Sequence, residues 1–176
     1  MNLASEQAAA YINLALYENS IELLGTAKVK LPDISYLATG IEGAGIMGKL
    51  NVPLMGMADS MSTTINFLTV TQAAANLGSP GKHLLDLRVA EEYWETLQAD
   101  VGLWAEKYVM LVHTKSLSPG TVAPMSAADA SGEFEVYYYA AYKKGKRLWE
   151  IDKRNMRCIF GDKDYMADVR RALGKI

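Results

Sequence analysis

Glu133-Phe134-Glu135-Val136-Tyr137-Tyr138-Tyr139-Ala140-Ala141-Tyr142-Lys143 alternates along its whole length. Phe134, Val136, Tyr138, Ala140 and Tyr142 fall on one face, and Glu135, Tyr137, Tyr139, Ala141 and Lys143 on the other. A period of two is the mark of an extended strand, because successive side chains point to opposite faces of its sheet. Aromatic side chains on both faces predict a strand covered by core on one side and by a neighbouring subunit on the other. Lys144-Gly145 then supplies a tight hairpin turn, which returns Arg147 to Asp152 as a second strand and Asn155 to Phe160 as a third. A short helix closes the chain: Asp164 as N-cap, Tyr165, Val169 and Leu173 on one stripe, Arg170 and Arg171 near the negative end, Gly174 as the stop.

The preceding text is also β-like. Ile12, Leu14 and Leu16 alternate with Asn13, Ala15 and Tyr17, Glu18-Asn19-Ser20 makes a turn, and Ile21 to Leu31 resumes an extended pattern, so a first hairpin is expected. Ser5 to Ala15 is alanine-rich and reads either as a helix capped by Ser5 or as a mobile arm, which would cover residues 1–11. Pro32 to Gly48 reads as one long irregular loop. Lys49 to Met57 and Met61 to Thr71, joined by Ala58-Asp59-Ser60, predict a second hairpin, with Pro53 marking an edge or a bulge. Thr71 caps a short helix over Gln72 to Leu77 that Gly78 closes. His83 to Val89 and Lys107 to His113 read as strands and Leu117 to Ala130 as a loop. Ala90 to Asp100 fits helix and strand equally, since Val89, Tyr93 and Leu97 recur at helical spacing. The sum is a single, mainly antiparallel β domain over residues 1–176 with a short flanking helix and a C-terminal helix, a barrel or a sandwich.

Composition narrows the function classes. With 18 basic and 20 acidic residues the net charge is −2, so no positive field exists to condense nucleic acid or to hold an anionic membrane. Cys158 is the one cysteine, which rules out an internal disulfide and suits a reduced cytoplasm. No apolar stretch is long enough to cross a bilayer, and the N-terminus lacks the pattern of a signal peptide, so no membrane anchoring is expected.

Several patterns imitate chemistry. Gly43-Ala44-Gly45-Ile46-Met47-Gly48 has the spacing of a dinucleotide-binding turn, but such a turn must lead into a helix, and Lys49-Leu50-Asn51-Val52-Pro53 is β-like and contains proline. His83 and His113 stand on separate strands without ligand partners at metal spacing. Cys158 lies in a short apolar strand with no local histidine and reads as a small buried hydrophobe. No nucleophile elbow surrounds any serine. Glu91, Glu92 and Glu95 read as an exposed acidic face, and Lys143-Lys144-Gly145-Lys146-Arg147 as a solvated or interfacial hairpin tip. No catalytic residue, metal site or cofactor is expected.

The stretch from Tyr142 through Leu148-Trp149-Glu150-Ile151-Asp152-Lys153-Arg154-Asn155-Met156 resembles the phage major tail tube family. In that family a tyrosine-rich strand, a turn with glycine and an Ile-Asp-x-x-Asn-Met stretch precede a glycine, an aspartate and a short helix ending in Ala-Leu-Gly. Ile151-Asp152, Asn155-Met156, Gly161, Asp164 and Ala172-Leu173-Gly174 occupy those places here. The early hairpin, the Lys30-Leu31-Pro32 exit, the Gly43 to Gly48 segment and Val52-Pro53-Leu54-Met55-Gly56-Met57 fall in the family's order. The resemblance covers roughly Ile12 to the end, and Ala90 to Asp100 lies outside the family pattern.

The resemblance implies a non-enzymatic subunit of a contractile tail, assembled in the host cytoplasm, whose hexameric rings stack into a tube that conducts DNA. It also implies a tail sheath, a baseplate protein and a tail terminator as partners. The tube of a phage-derived bacteriocin is the alternative within the class, and a ligand-binding β-barrel the alternative outside it. On the tube reading the hairpin Lys49 to Thr71 is the candidate lumen wall. Ser62, Thr64 and Asn66 would then face water and Thr63, Ile65 and Phe67 the core, with the reverse facing also open. The loop Asp33 to Met47, with Ile41, Glu42, Gly43, Gly45 and Met47, is the candidate contact with the next ring.

Overall fold

The computed structural model describes residues 6–23, 25–95, 100–126 and 129–175. In chain order they form β1 (Glu6–Glu18), β2 (Ile21–Glu22), β3 (Thr26–Lys30), β4 (Tyr36–Ile41), β5 (Leu50–Ala58), β6 (Ser62–Phe67), α1 (Gln72–Leu77), β7 (Lys82–Glu95), β8 (Asp100–Ser118), β9 (Ala130–Lys143), β10 (Lys146–Asp152), β11 (Arg157–Phe160), β12 (Lys163–Asp164) and α2 (Ala167–Ala172). Among the described residues ten strands join one antiparallel sheet, eight in the order β12-β11-β10-β9-β8-β7-β1-β2 with β6 and β3 branching from β9, and β4 and β5 form a separate two-stranded sheet.

β9 is the pivot. Along one edge it pairs with β8 from Ser131 to Lys143, while its other edge is shared: Ala130 to Glu135 pair with β6, and Tyr138 to Lys143 with β10. β6 in turn carries β3. The chain therefore folds one part of the sheet over the other as a sandwich. It does not close into a barrel, since among the described residues β1 and β3 are not paired.

The core lies between these layers. Leu16, Ile65, Leu85, Met110, Val112, Phe134, Val136, Tyr139 and Ile151 are buried there, and α1 closes one end with Ala74 and Leu77. Thr63 is tolerated among them because its hydroxyl donates to the Lys30 carbonyl at 2.7 Å, which satisfies it. His83 is buried as well, between two acceptors: one ring nitrogen meets the Glu18 carboxylate and the other the Ser79 carbonyl at 3.1 Å. Turns follow the sequence signals. Asn19 and Ser20 (φ 48° and 71°) and Lys144 and Gly145 (φ 51° and 74°) take the left-handed angles of two-residue hairpins. Thr71 caps α1 by accepting from the Ala74 amide at 3.2 Å. Among the described residues no helix is long and apolar enough to cross a membrane.

Several expectations need correction. The first hairpin is vestigial: β1 meets β2 only at Tyr17 and Glu18, and its long partner is β7. The alanine-rich start is strand from Glu6 onward, with the Ser5 cap outside the described residues. The Pro32 to Gly48 loop contains β4. The second hairpin does not exist, because β5 pairs with β4 while β6 pairs with β3 and β9. Pro53 has no N–H for a second neighbour, and Gly56 (φ 72°) breaks the run. β6, by contrast, buries Thr63, Ile65 and Phe67, which needs strands on both edges. The ambiguous Ala90 to Asp100 stretch lies on the tip of the longest hairpin: β7 continues to Glu95, β8 starts at Asp100, and residues 96–99 are outside the described set.

Candidate assembly surfaces

Three surfaces stand apart from the core. The first is the arm formed by β4 and β5 with the tip loop 42–49. Neither strand carries a charged residue, and Glu42 and Lys49 at the tip form an ion pair at 3.7 Å. Ile41, Ile46, Met47, Leu50, Met55 and Met57 are exposed along it. The arm is held at its base, where the Asp59 amide donates to the Ser35 carbonyl at 2.9 Å and Gly56 lies so close to Met166 that a Cβ would meet its side chain at 2.7 Å. The glycine pattern is the arm's tip, with Gly45 and Gly48 at φ 91° and 93°. No helix follows it, so the geometry for cradling a pyrophosphate is missing. All five candidate contact residues, Ile41, Glu42, Gly43, Gly45 and Met47, sit together on this exposed tip.

The second surface is the outer side of β6. Ser62 and Asn66 are exposed and Thr64 is half-buried, while Thr63, Ile65 and Phe67 point into the core. Across the ladder stand Glu135, Glu133 and Ser131 of β9 and Lys30 and Lys28 of β3. Ser60 donates to Glu135 at 2.7 Å and Lys115 to Glu133 at 2.7 Å. This is a polar surface of mixed sign. The structure keeps it in the main sheet and the arm in its own sheet, so the two candidate sets do not form one site.

The third surface escaped sequence reasoning. Beyond Lys143 the strand β9 ends, and β1, β7 and β8 run on as a three-stranded ribbon. Its far part exposes Tyr11, Ile12, Trp94, Val101 and Leu103. At its base, Lys143 reaches both Glu91 and, at 2.7 Å, Glu106. These glutamates are only 6% and 5% exposed, which overturns the reading of Glu91 as part of a solvated acidic face. The Tyr108 hydroxyl donates to Glu106 at 2.7 Å. Burial opposes the charge on Glu106, but the hydrogen bonds from Lys143 and Tyr108 outweigh it and hold the carboxyl below its ordinary range. Burial also opposes the ammonium of Lys143, and the two carboxylates more than compensate, raising its pKa. Tyr93 and Trp104 stack above this clamp at 4.6 Å, and Lys144 lies 3.9 Å from the Trp104 ring centre. Lys143 and Lys144 of the basic turn are thus engaged by the neighbouring β7–β8 hairpin. Aromatic residues beside the glutamates were the one available signal, and the partner lysine is distant in sequence.

The C-terminal motif is a structural staple. Asp152 accepts from the amides of Arg154 and Asn155, each at 3.0 Å, and from the Asn155 side chain at 2.6 Å, which shapes the β10–β11 turn. Arg170 of α2 donates to the Met156 carbonyl at 2.7 Å and to Asp164 at 2.6 Å. Asp164 accepts the Met166 amide at 2.9 Å, but the cap position itself is Met166, without a side-chain bond. Tyr165, Val169 and Leu173 turn outward. Cys158 is buried, and burial pushes its thiol up, away from the reactive thiolate. His113 packs edge-on to Tyr137 at 5.0 Å, far from the role of a ligand. Among the described residues no group of histidine, cysteine, aspartate or glutamate is arranged to hold a metal ion.

Comparison with known proteins agrees with this picture of a body equipped for contacts. The family model described as Phage tail tube protein FII matches residues 10–174. No curated protein matches the chain.

Proposed function

The chain belongs to the phage tail tube protein FII family, and from that premise we propose that it is the inner-tube subunit of a contractile injection system, built as stacked hexameric rings around a lumen that conducts DNA. The family is one of structural proteins and not of enzymes, and membership makes the chain a component of a virion tail that assembles with copies of itself. The observation that carries the finer reading is the arm. An uncharged two-stranded sheet with exposed Ile41, Met47, Leu50 and Met55 has no stable place in water until another surface covers it.

Within this reading the arm's tip meets the next ring, and Ser62, Thr64 and Asn66 line the lumen. A polar row among charges of both signs suits passage of a polyanion that must not adhere. The sheath surrounds the tube, a baseplate protein starts it and a terminator ends it, with assembly in the host cytoplasm. A phage-derived bacteriocin would use the same subunit, and neighbouring capsid and packaging genes distinguish the two. A ligand-binding barrel has less support: the sheet does not close, and Phe134, Tyr139 and Leu16 fill the interior.

Negative-stain electron microscopy at high concentration, with sizing at low concentration, tests the proposal. Hollow tubes or stacked six-fold rings are expected. A species that stays monomeric even with a baseplate fragment as seed overturns it.

A further inference from the structure

Methionine is spread unevenly over this chain. Nine occur, and Met1 lies outside the described residues. Met61, Met110 and Met166 are buried in the body, and Met156, half-buried, has the Lys175 ammonium 3.8 Å from its sulfur. The exposed ones are Met47, Met55, Met57 and Met125, and all but Met125 stand on the β4–β5 arm. Burial alternates along β5, so that Asn51, Pro53, Met55 and Met57 are exposed while Val52, Leu54, Gly56 and Ala58 are half-buried. Met55 and Met57 are 69% and 46% exposed, and Met47 is fully open at the tip. Resting on the tube reading, we propose that Met47, Met55 and Met57 form a reversible oxidation site, at which a peroxide converts the free subunit into a folded form that no longer assembles.

The chemistry needs only access to sulfur. Its lone pair attacks one oxygen of hydrogen peroxide, an S–O bond forms as the O–O bond breaks, and the departing hydroxide takes up the remaining proton to leave as water. Sulfur loses two electrons and peroxide gains them, which gives the sulfoxide. Cys158 does not compete, because it is buried and burial keeps its thiol protonated. The buried methionines are shielded in the same way, so the core keeps its packing and the fold survives. On the arm the consequence differs. Neither strand carries a charge, and the exposed apolar side chains are the surface that assembly must cover. A sulfoxide oxygen is a strong hydrogen-bond acceptor, and burying one without a donor opposes that cover. Sulfoxide reductases reverse the step: two thiols are oxidised to a disulfide and the oxygen leaves as water.

The test treats the purified full-length subunit with hydrogen peroxide before assembly. Peptide mass spectrometry is expected to place an added oxygen on Met47, Met55 and Met57 and none on Met61, Met110 or Met166. The unfolding midpoint is expected to stay at the untreated value, and the concentration needed for assembly to rise by about tenfold or more. Reductases specific for each sulfoxide epimer, supplied with dithiothreitol, are expected to restore assembly. Met47→Leu/Met55→Leu/Met57→Leu keeps the apolar surface and is expected to assemble with or without peroxide, whereas Met125→Leu is expected to be as sensitive as the wild type. Oxidised wild-type protein that assembles normally, a triple variant that peroxide still disables, or Met125→Leu protein that escapes it overturns the inference and leaves the tube reading standing. Untreated wild-type protein that never forms rings or tubes overturns both.

Discussion

Lys143→Met isolates the clamp at the base of the ribbon. In the wild type one ammonium serves two carboxylates whose side chains are 8% and 5% exposed. Methionine keeps the stem's packing against Trp104, 4.4 Å from the ammonium, and removes the charge. Glu91 and Glu106 then face each other without compensation. Removing one partner of a buried ion pair costs about 3–5 kcal/mol, and because Lys143 itself is 25% exposed, solvent screening places the loss at the lower end, about 3 kcal/mol. For a chain of this size that lowers Tm by about 6–12 °C.

The pH dependence follows from the sign of each shift. Glu106 is held below its ordinary pKa when folded, so its stabilisation is present above the ordinary carboxylate range and is lost as pH falls through the folded value. Lys143 is raised when folded, so its share is present below the ordinary lysine range and is lost as pH rises through the folded value. In Lys143→Met the Glu106 carboxyl loses the lysine that holds its pKa down, so its pKa rises and acid relieves the repulsion by protonating it. The deficit measured by urea unfolding is therefore expected in full at about pH 7 and reduced at about pH 4. A deficit under about 1 kcal/mol, or one of equal size at both pH values, would refute the reasoning. Hydrogen exchange adds the location: amides of residues 91–95 and 100–105 are expected to exchange faster in the variant, with those of β6 unchanged.

Cys158 is expected to resist a thiol reagent in the native protein and to react fully once the chain is unfolded, because burial both hides it and keeps it protonated; rapid native labelling would contradict this. Asp152→Ala removes three acceptor contacts at the β10–β11 turn and is expected to cost about 1–2 kcal/mol in denaturant unfolding, with the secondary structure retained by circular dichroism. Gly56→Ala places a Cβ at a left-handed φ of 72° and against Met166, for an expected loss of about 1–2 kcal/mol; an unchanged midpoint would mean that the arm's base is looser than its contacts indicate.

Local signals carried the local structure. Alternation marked β9, the turn residues marked the β9–β10 hairpin, and Thr71 and Gly78 bounded α1 at its observed limits. Pairing was less legible, because it depends on residues far apart in the chain. Sequence adjacency suggested that β5 folds onto β6, whereas the burial of Ile65 and Phe67 is satisfied by β3 and β9. Glu91 looked solvated because its partner, Lys143, lies on a strand that arrives much later. Alternation separated the row Ser62, Thr64 and Asn66 from Thr63, Ile65 and Phe67 but left open which of them faces out, while the arm was hidden: glycines at its tip resemble a loop, and β4 has too few periodic positions to announce itself. In α2 the apolar stripe suggested packing, yet Arg170 holds the helix down through Met156 and Asp164, which leaves Tyr165, Val169 and Leu173 at the surface.

The long alliance of β1 with β7 also sets an order of events during synthesis. Leu16 meets Leu87 only after the arm and α1 have left the ribosome. Until then the first strand has no lasting partner, and the nascent chain holds an apolar edge without its complement. Contacts so distant in sequence slow folding, since loop closure must precede their reward. β1 is thus made well before its partner and is among the last strands secured, a stage at which chaperone binding and misassociation compete for the same residues.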